Sequence, residues 1–99
     1  MQIREIQSIT KNIVLPVIIA GDLNAATGTE VINIFDQSFT RTCNPCDFTI
    51  PVKNPNKTID FIGFTPSSKF GVEKHEVISE SYASDHLPVS VRLTTKPGR

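Results

Sequence analysis

The apolar run Val14-Leu15-Pro16-Val17-Ile18-Ile19-Ala20 stops abruptly on Gly21-Asp22-Leu23-Asn24. β-Branched residues dominate the run and it is short, so it predicts a strand over residues 14–20 covered on both faces. Pro16 removes one ladder donor and is placed at the strand's beginning. A carboxylate and a carboxamide then stand at the mouth of a rigid element, where they can orient a water and hold a phosphate. A turn explains the same Gly-Asp pair, because Asp bonds its own backbone and Gly allows positive φ.

Asp60 adds a second constraint. Residues 58–65 predict another strand, with Ile59 and Phe61 on one side and Asp60, Ile62 and Phe64 on the other. A carboxylate on such an apolar face needs a partner to offset its burial. Ser84-Asp85-His86 offers one, since His86 lies just before Leu87-Pro88 and the strand predicted over residues 88–95. A carboxylate on one imidazole nitrogen sets the tautomer and favours the imidazolium, which suits a group that stabilises phosphate charge.

The remaining elements fill out a small α+β chain. Ile3, Ile6, Ile9 or Thr10, and Ile13 at helical spacing predict an amphipathic helix over residues 2–12. Thr27-Gly28-Thr29-Glu30 opens a second helix, capped by Thr27 or Thr29, with Val31, Ile32, Phe35 and Phe39 on its apolar face. Residues 40–57, with Pro45, Pro51 and Pro55, predict a loop holding at most a short strand at residues 48–50. Residues 70–79 predict a weaker strand, interrupted by Lys74, His75 and Glu76. Val89, Val91 and Leu93 alternate with polar residues in the last strand, and residues 96–99 predict a frayed tail.

Composition narrows the classes. The chain has 99 residues, room for one core and no second domain. Its formal net charge is zero, so it offers no broad attraction to a polyanion; the basic lean of Arg41, Lys53, Lys57, Lys69 and Lys74 is largely cancelled by Asp47, Asp60 and Glu73. No window reaches the ~20 apolar residues of a membrane span, and no signal peptide opens the chain, so it is expected to be soluble and either intracellular or a piece whose export signal lies elsewhere. Cys43 and Cys46 leave three readings: a redox pair, half of a zinc site, or a surface-loop pair that closes as a disulfide if the chain is exported. Loop context favours the last.

Taken together, Val17-Ile18-Ile19-Ala20-Gly21-Asp22-Leu23-Asn24, Thr58-Ile59-Asp60-Phe61-Ile62 and Ala83-Ser84-Asp85-His86-Leu87-Pro88-Val89 resemble the C-terminal half of the endonuclease/exonuclease/phosphatase superfamily. That group includes DNase I-like nucleases, inositol phosphatases and sphingomyelinases. The resemblance implies half of a four-layer αββα sandwich, one mainly antiparallel sheet with about two helices. It implies hydrolysis of a phosphoester in a nucleic acid, phospholipid or small phosphodiester, with Mg²⁺ or Mn²⁺. Asp22 would polarise or deprotonate the attacking water, and Asn24 would hold the phosphate. Asp60 would orient His86, and His86 would stabilise the phosphoryl transition state. Asp85, with Asp22 and Asn24, would hold the metal.

The resemblance also implies absences. The superfamily's first half supplies an Asn, a metal-binding Glu and a second His, and none can be placed here. Glu5 lies in the amphipathic helix, and His75 has no motif around it and reads as a solvated strand residue. A lone half would leave its sheet face open, a larger apolar patch than a soluble monomer tolerates. Three outcomes follow: a fragment of a longer hydrolase, a truncated product without efficient chemistry that serves as a folded or interaction module, or a homodimer pairing through the open faces. The 41–57 loop leans towards bacterial, often exported, members.

Overall fold

The computed structural model describes residues 3–66, 69–80, 82 and 84–95; Gln2 and the tail expected over residues 96–99 lie outside them. Helix α1 (Ile3–Thr10) is followed by strand β1 (Ile18–Asp22), helix α2 (Glu30–Ser38), a two-residue β2 (Thr40–Arg41), β3 (Asp60–Phe64), β4 (Phe70–Val77) and β5 (Val89–Thr95). The strands form a three-stranded sheet in the order β1-β3-β2 and a β4-β5 ladder, antiparallel throughout. The α+β class is as expected. Among the described residues, no helix is long and apolar enough to cross a membrane.

Alternation along β1 and β3 decides which side chains meet the helices. Phe61, 1% exposed, packs with Ile32, Ile34, Phe35 and Phe39 of the α2 segment and with Ile3 of α1. Val17 and Ile19 join the same cluster. Gly63 is what lets α2 come so close: a Cβ there would stand 2.7 Å from Phe35 Cζ. Any larger side chain there forces the Phe35 ring, or the helix that carries it, to shift. Gln7 Nε2 of α1 donates to Ser38 Oγ of α2 at 2.7 Å, pinning the two helices together.

Several expectations need correction. The strand expected over residues 14–20 occupies Ile18–Asp22 instead, and it is an edge strand rather than one covered on both faces. Val14 and Leu15 precede it, 95% and 74% exposed. Pro16 therefore lies before the ladder rather than at its start. Thr29 caps α2 by position only, because its hydroxyl donates back to the Ala26 carbonyl at 2.7 Å. Of the two alternatives on the inner face of the first helix, Thr10 is partly buried and Ile9 is exposed, as is Ile13; Ile3 is the buried residue of α1. The weak 70–79 strand is eight residues long, with a bulge between Val72 and Lys74.

The 42–59 connection is a bonded bracket rather than a free loop. Cys43 and Cys46 form a disulfide, which rules out the zinc reading for that pair, and Cys43 is buried rather than on the surface. Thr58 Oγ1 donates to the Asp47 carbonyl at 2.8 Å, and Ile50 bridges Lys57. At its start Arg41 makes a two-pronged ion pair with Asp36 and lies over the Phe61 ring, 6.0 Å from its centre.

Candidate active site

The register of β1 against β3 puts Asp22 directly opposite Asp60, Ala20 opposite Ile62 and Ile18 opposite Phe64. Opposed residues of an antiparallel pair share a face, so both carboxylates stand on the side away from the helices. The pairing runs one step further, with Leu23 N–H donating to the Ile59 carbonyl at 2.9 Å. Asp22 is thereby held inside the ladder and not at a free turn. Two carboxylates set opposite each other repel, and something cationic must offset that.

His86 occupies that position. Its Nδ1 lies 2.8 Å from Asp60 Oδ2 and 3.0 Å from Oδ1. A carboxylate only accepts, so Nδ1 carries the proton and donates. The other nitrogen, Nε2, faces Asp22 Oδ2 at 3.7 Å and Asp85 Oδ1 at 3.9 Å. The hydrogen bond to Asp60 raises the His86 pKa above its ordinary value; burial opposes this, and the charges of Asp60, Asp22 and Asp85 reinforce it. The imidazole thus has a carboxylate at Nδ1, while Nε2 is turned towards Asp22 and Asp85.

The chain around each residue is locally built to hold it. Ser84 Oγ accepts from His86 N–H at 3.1 Å and donates to Asp85 Oδ1 at 3.2 Å, closing a tight polar turn. Leu87, 8% exposed, anchors the next residue into the core side. Asn24 adopts φ 51°, a left-handed conformation that Asn tolerates, and its N–H donates to Asp22 Oδ1 at 2.7 Å. Asn24 therefore meets the cluster through its backbone, by fixing the Asp22 carboxylate. Asp22, Asp60 and His86 bring three possible ligand atoms within 4.8 Å of one another.

Beside the pair lies a concavity of about 400 Å³, lined by Ala20, Ile62, Leu87, Pro88 and Val89 along with Asp60 and His86. Its wall is mostly apolar on a face where Ile18 is 53% exposed. His75 is elsewhere and is not the solvated residue expected: it is half-buried, with Nδ1 2.6 Å from the buried Thr42 hydroxyl. Burial lowers its pKa, and the Asp47 charge partly counteracts that.

One residue behind the site, noted in the sequence only as part of the 48–50 strand and the 41–57 loop, has contacts that the sequence does not reveal. Thr49, 1% exposed, sits in the bracket between β2 and β3. Its hydroxyl accepts from Ile59 N–H at 3.2 Å, and its carbonyl accepts from Leu87 N–H at 2.8 Å. Lone threonines in proline-rich loops are common, and the contact with Leu87 spans 38 positions that no local pattern can reveal.

No protein-family model matches the chain, and no curated protein matches it by sequence. Solved structures do match. The chain aligns with a mannosyl-6-phosphatase of Bacteroides thetaiotaomicron VPI-5482 at TM-score 0.71 and 23% identity, over 92% of this chain and 42% of that one. It aligns with an endonuclease/exonuclease/phosphatase of Bacteroides vulgatus at TM-score 0.74 and 20% identity, over 94% and 42% of the two chains. A family protein from Bacteroides thetaiotaomicron gives TM-score 0.70 and 22% identity, over 91% and 41%. At these identities the likeness establishes the fold: this chain has the endonuclease/exonuclease/phosphatase fold over about two-fifths of each neighbour's length, consistent with a C-terminal half.

Proposed function

We propose that the chain is the C-terminal half of an endonuclease/exonuclease/phosphatase-family domain and carries the acid–histidine side of a phosphoester hydrolase site. The observation that carries this reading is His86, held at Nδ1 by Asp60 at 2.8 Å with Nε2 turned towards Asp22. On this reading Asp22 polarises or deprotonates the attacking water, and Asn24 fixes Asp22 and binds the phosphate. His86 donates from Nε2 to a non-bridging phosphoryl oxygen. Asp60 keeps the imidazole oriented and charged. In-line displacement at phosphorus asks for placement and charge neutralisation, and this set supplies both.

The donor chemistry also suits a hard divalent ion. Asp22 and Asp85 offer carboxylates from separate chain segments, and the Asn24 carboxamide adds an oxygen; Mg²⁺ and Mn²⁺ accept such donors alongside water and phosphate. When bound, the ion would polarise the phosphoryl oxygen and neutralise its charge. The reading covers a phosphodiester in nucleic acid, phospholipid or a small molecule, and the phosphatase among the structural neighbours adds a phosphomonoester. The open face around Ile18 and Ile62 would be covered by the other half of the domain or by a second copy of this chain.

That open face supports a second reading, a folded interaction module without a complete site. Release of nitrophenol from bis-p-nitrophenyl phosphate and p-nitrophenyl phosphate, with Mg²⁺ or Mn²⁺, separates the two. For an enzyme, Asp22→Asn and His86→Ala each lower the rate by about 10²–10⁴-fold, the range for losing a positioned acid or base. Equal background rates for the wild type and both variants leave the module reading standing.

A further inference from the structure

We propose that Thr49 is the positioning residue that sets the spacing between Asp60 and His86. The two members of the pair come from distant segments, β3 and the turn before β5, and each is attached to Thr49 through its neighbour in sequence. Ile59, just before Asp60, donates its N–H to the Thr49 hydroxyl at 3.2 Å. Leu87, just after His86, donates its N–H to the Thr49 carbonyl at 2.8 Å. One residue thus ties both backbones, on the side chain and on the main chain.

Thr49 is itself held firmly. Its N–H donates to the Lys57 carbonyl at 2.9 Å, and it is 1% exposed. Two flanking contacts brace the same bracket: Ile50 bridges Lys57, and Thr58 Oγ1 bonds the Asp47 carbonyl. A buried residue with every backbone group bonded has little freedom, so its hydroxyl and carbonyl define fixed points. A hydroxyl is required at this position. Valine keeps the volume but cannot accept from Ile59, and it leaves that N–H buried without a partner.

The inference rests on the proposed hydrolytic reading for its kinetic consequence but not for its structural one. The test uses the full chain with ¹⁵N-labelled histidine. In Thr49→Val the His86 ring ¹⁵N shifts, which report which nitrogen holds the proton, move away from the wild-type pattern while those of His75 stay. Any phosphoesterase kcat falls by about ten- to a hundredfold, the scale of a 1 Å misplacement, with KM little changed. Thr49→Ser restores both. Amide exchange in the wild type gives a readout that needs no variant: Ile59 and Leu87 exchange as slowly as Phe61. Wild-type His86 shifts in Thr49→Val, or fast exchange at Ile59 or Leu87, overturn the proposal. Shifted His86 signals in a chain without hydrolysis keep the positioning role and defeat only the enzymatic reading.

Discussion

The two faces of the β1–β3 ladder put one backbone to opposite uses. Towards the helices, Phe61 is 1% exposed and the Phe35 ring fills the space left by Gly63. One residue out of step, Ile18 is 53% exposed and Asp22 stands opposite Asp60. The period of two in a strand makes this separation complete, since no residue serves both faces. Opposed carboxylates destabilise a ladder, so the helical face must supply the burial that keeps the strands paired. Rigidity comes from one side, and the opposed carboxylates are held on the other.

Phe35→Ala is the strongest way to break that division. Phe35 is 1% exposed and touches both Phe39 and Phe61, with ring centres 5.1 and 6.3 Å away. Its removal leaves a cavity between α2 and the sheet and costs about 3–5 kcal/mol. Urea unfolding followed by circular dichroism measures it. A loss under about 1 kcal/mol would place the stabilising core somewhere other than this face.

The two histidines sharpen the comparison, because they sit in opposite environments. The Asp60 hydrogen bond raises His86 above the ordinary 6.5, whereas burial lowers His75 below it. The signs of their stability effects are therefore opposite. His86 contributes stability that is full below about pH 6.5 and disappears as pH rises through its raised folded value. For His75 the unfolded chain takes up the proton first. Stability therefore falls as pH drops from about 6.5 through the lowered folded value. Imidazole proton resonances followed from pH 4.5 to 9 should give two separated curves, His86 the higher. A His75 midpoint at or above that of His86 removes the distinction between the sites.

The sequence was most readable where strand period and chemistry coincide. Asp60 between Ile59 and Phe61 announces a carboxylate on an otherwise apolar strand, and Asp85-His86 ahead of Leu87-Pro88 announces a fixed imidazole. The three segments together also carried the fold. Hidden from the sequence were quantities set by distant contacts. β1 begins at Ile18 because its pairing with β3 starts there, opposite Phe64, and nothing in the composition of Val14 or Leu15 says that they fall outside the ladder. The partner of His75 is Thr42, 33 positions away, and burial by that contact makes it unlike an exposed strand histidine. The contacts of Thr49 with Ile59 and Leu87 were hidden for the same reason.

The smallest expected effect tests what lies over the open face. Ile18 is 53% exposed on an edge strand, so in an isolated chain Ile18→Lys removes little buried area. Substitutions at such positions change stability by no more than about 0.5 kcal/mol. The charge also blunts an unpaired strand edge, so solubility should rise. The outcome differs if a second copy or another half of the domain covers Ile18. The lysine would then be buried without a partner, costing about 2 kcal/mol or more. Covering by a second copy makes that loss depend on protein concentration. Unfolding curves of wild type and Ile18→Lys at two concentrations tenfold apart distinguish these cases. Superimposed curves mean that this face stands open on an otherwise self-sufficient sheet. A concentration-independent loss means that covalently continuous chain packs over it, and a concentration-dependent loss means a homodimer.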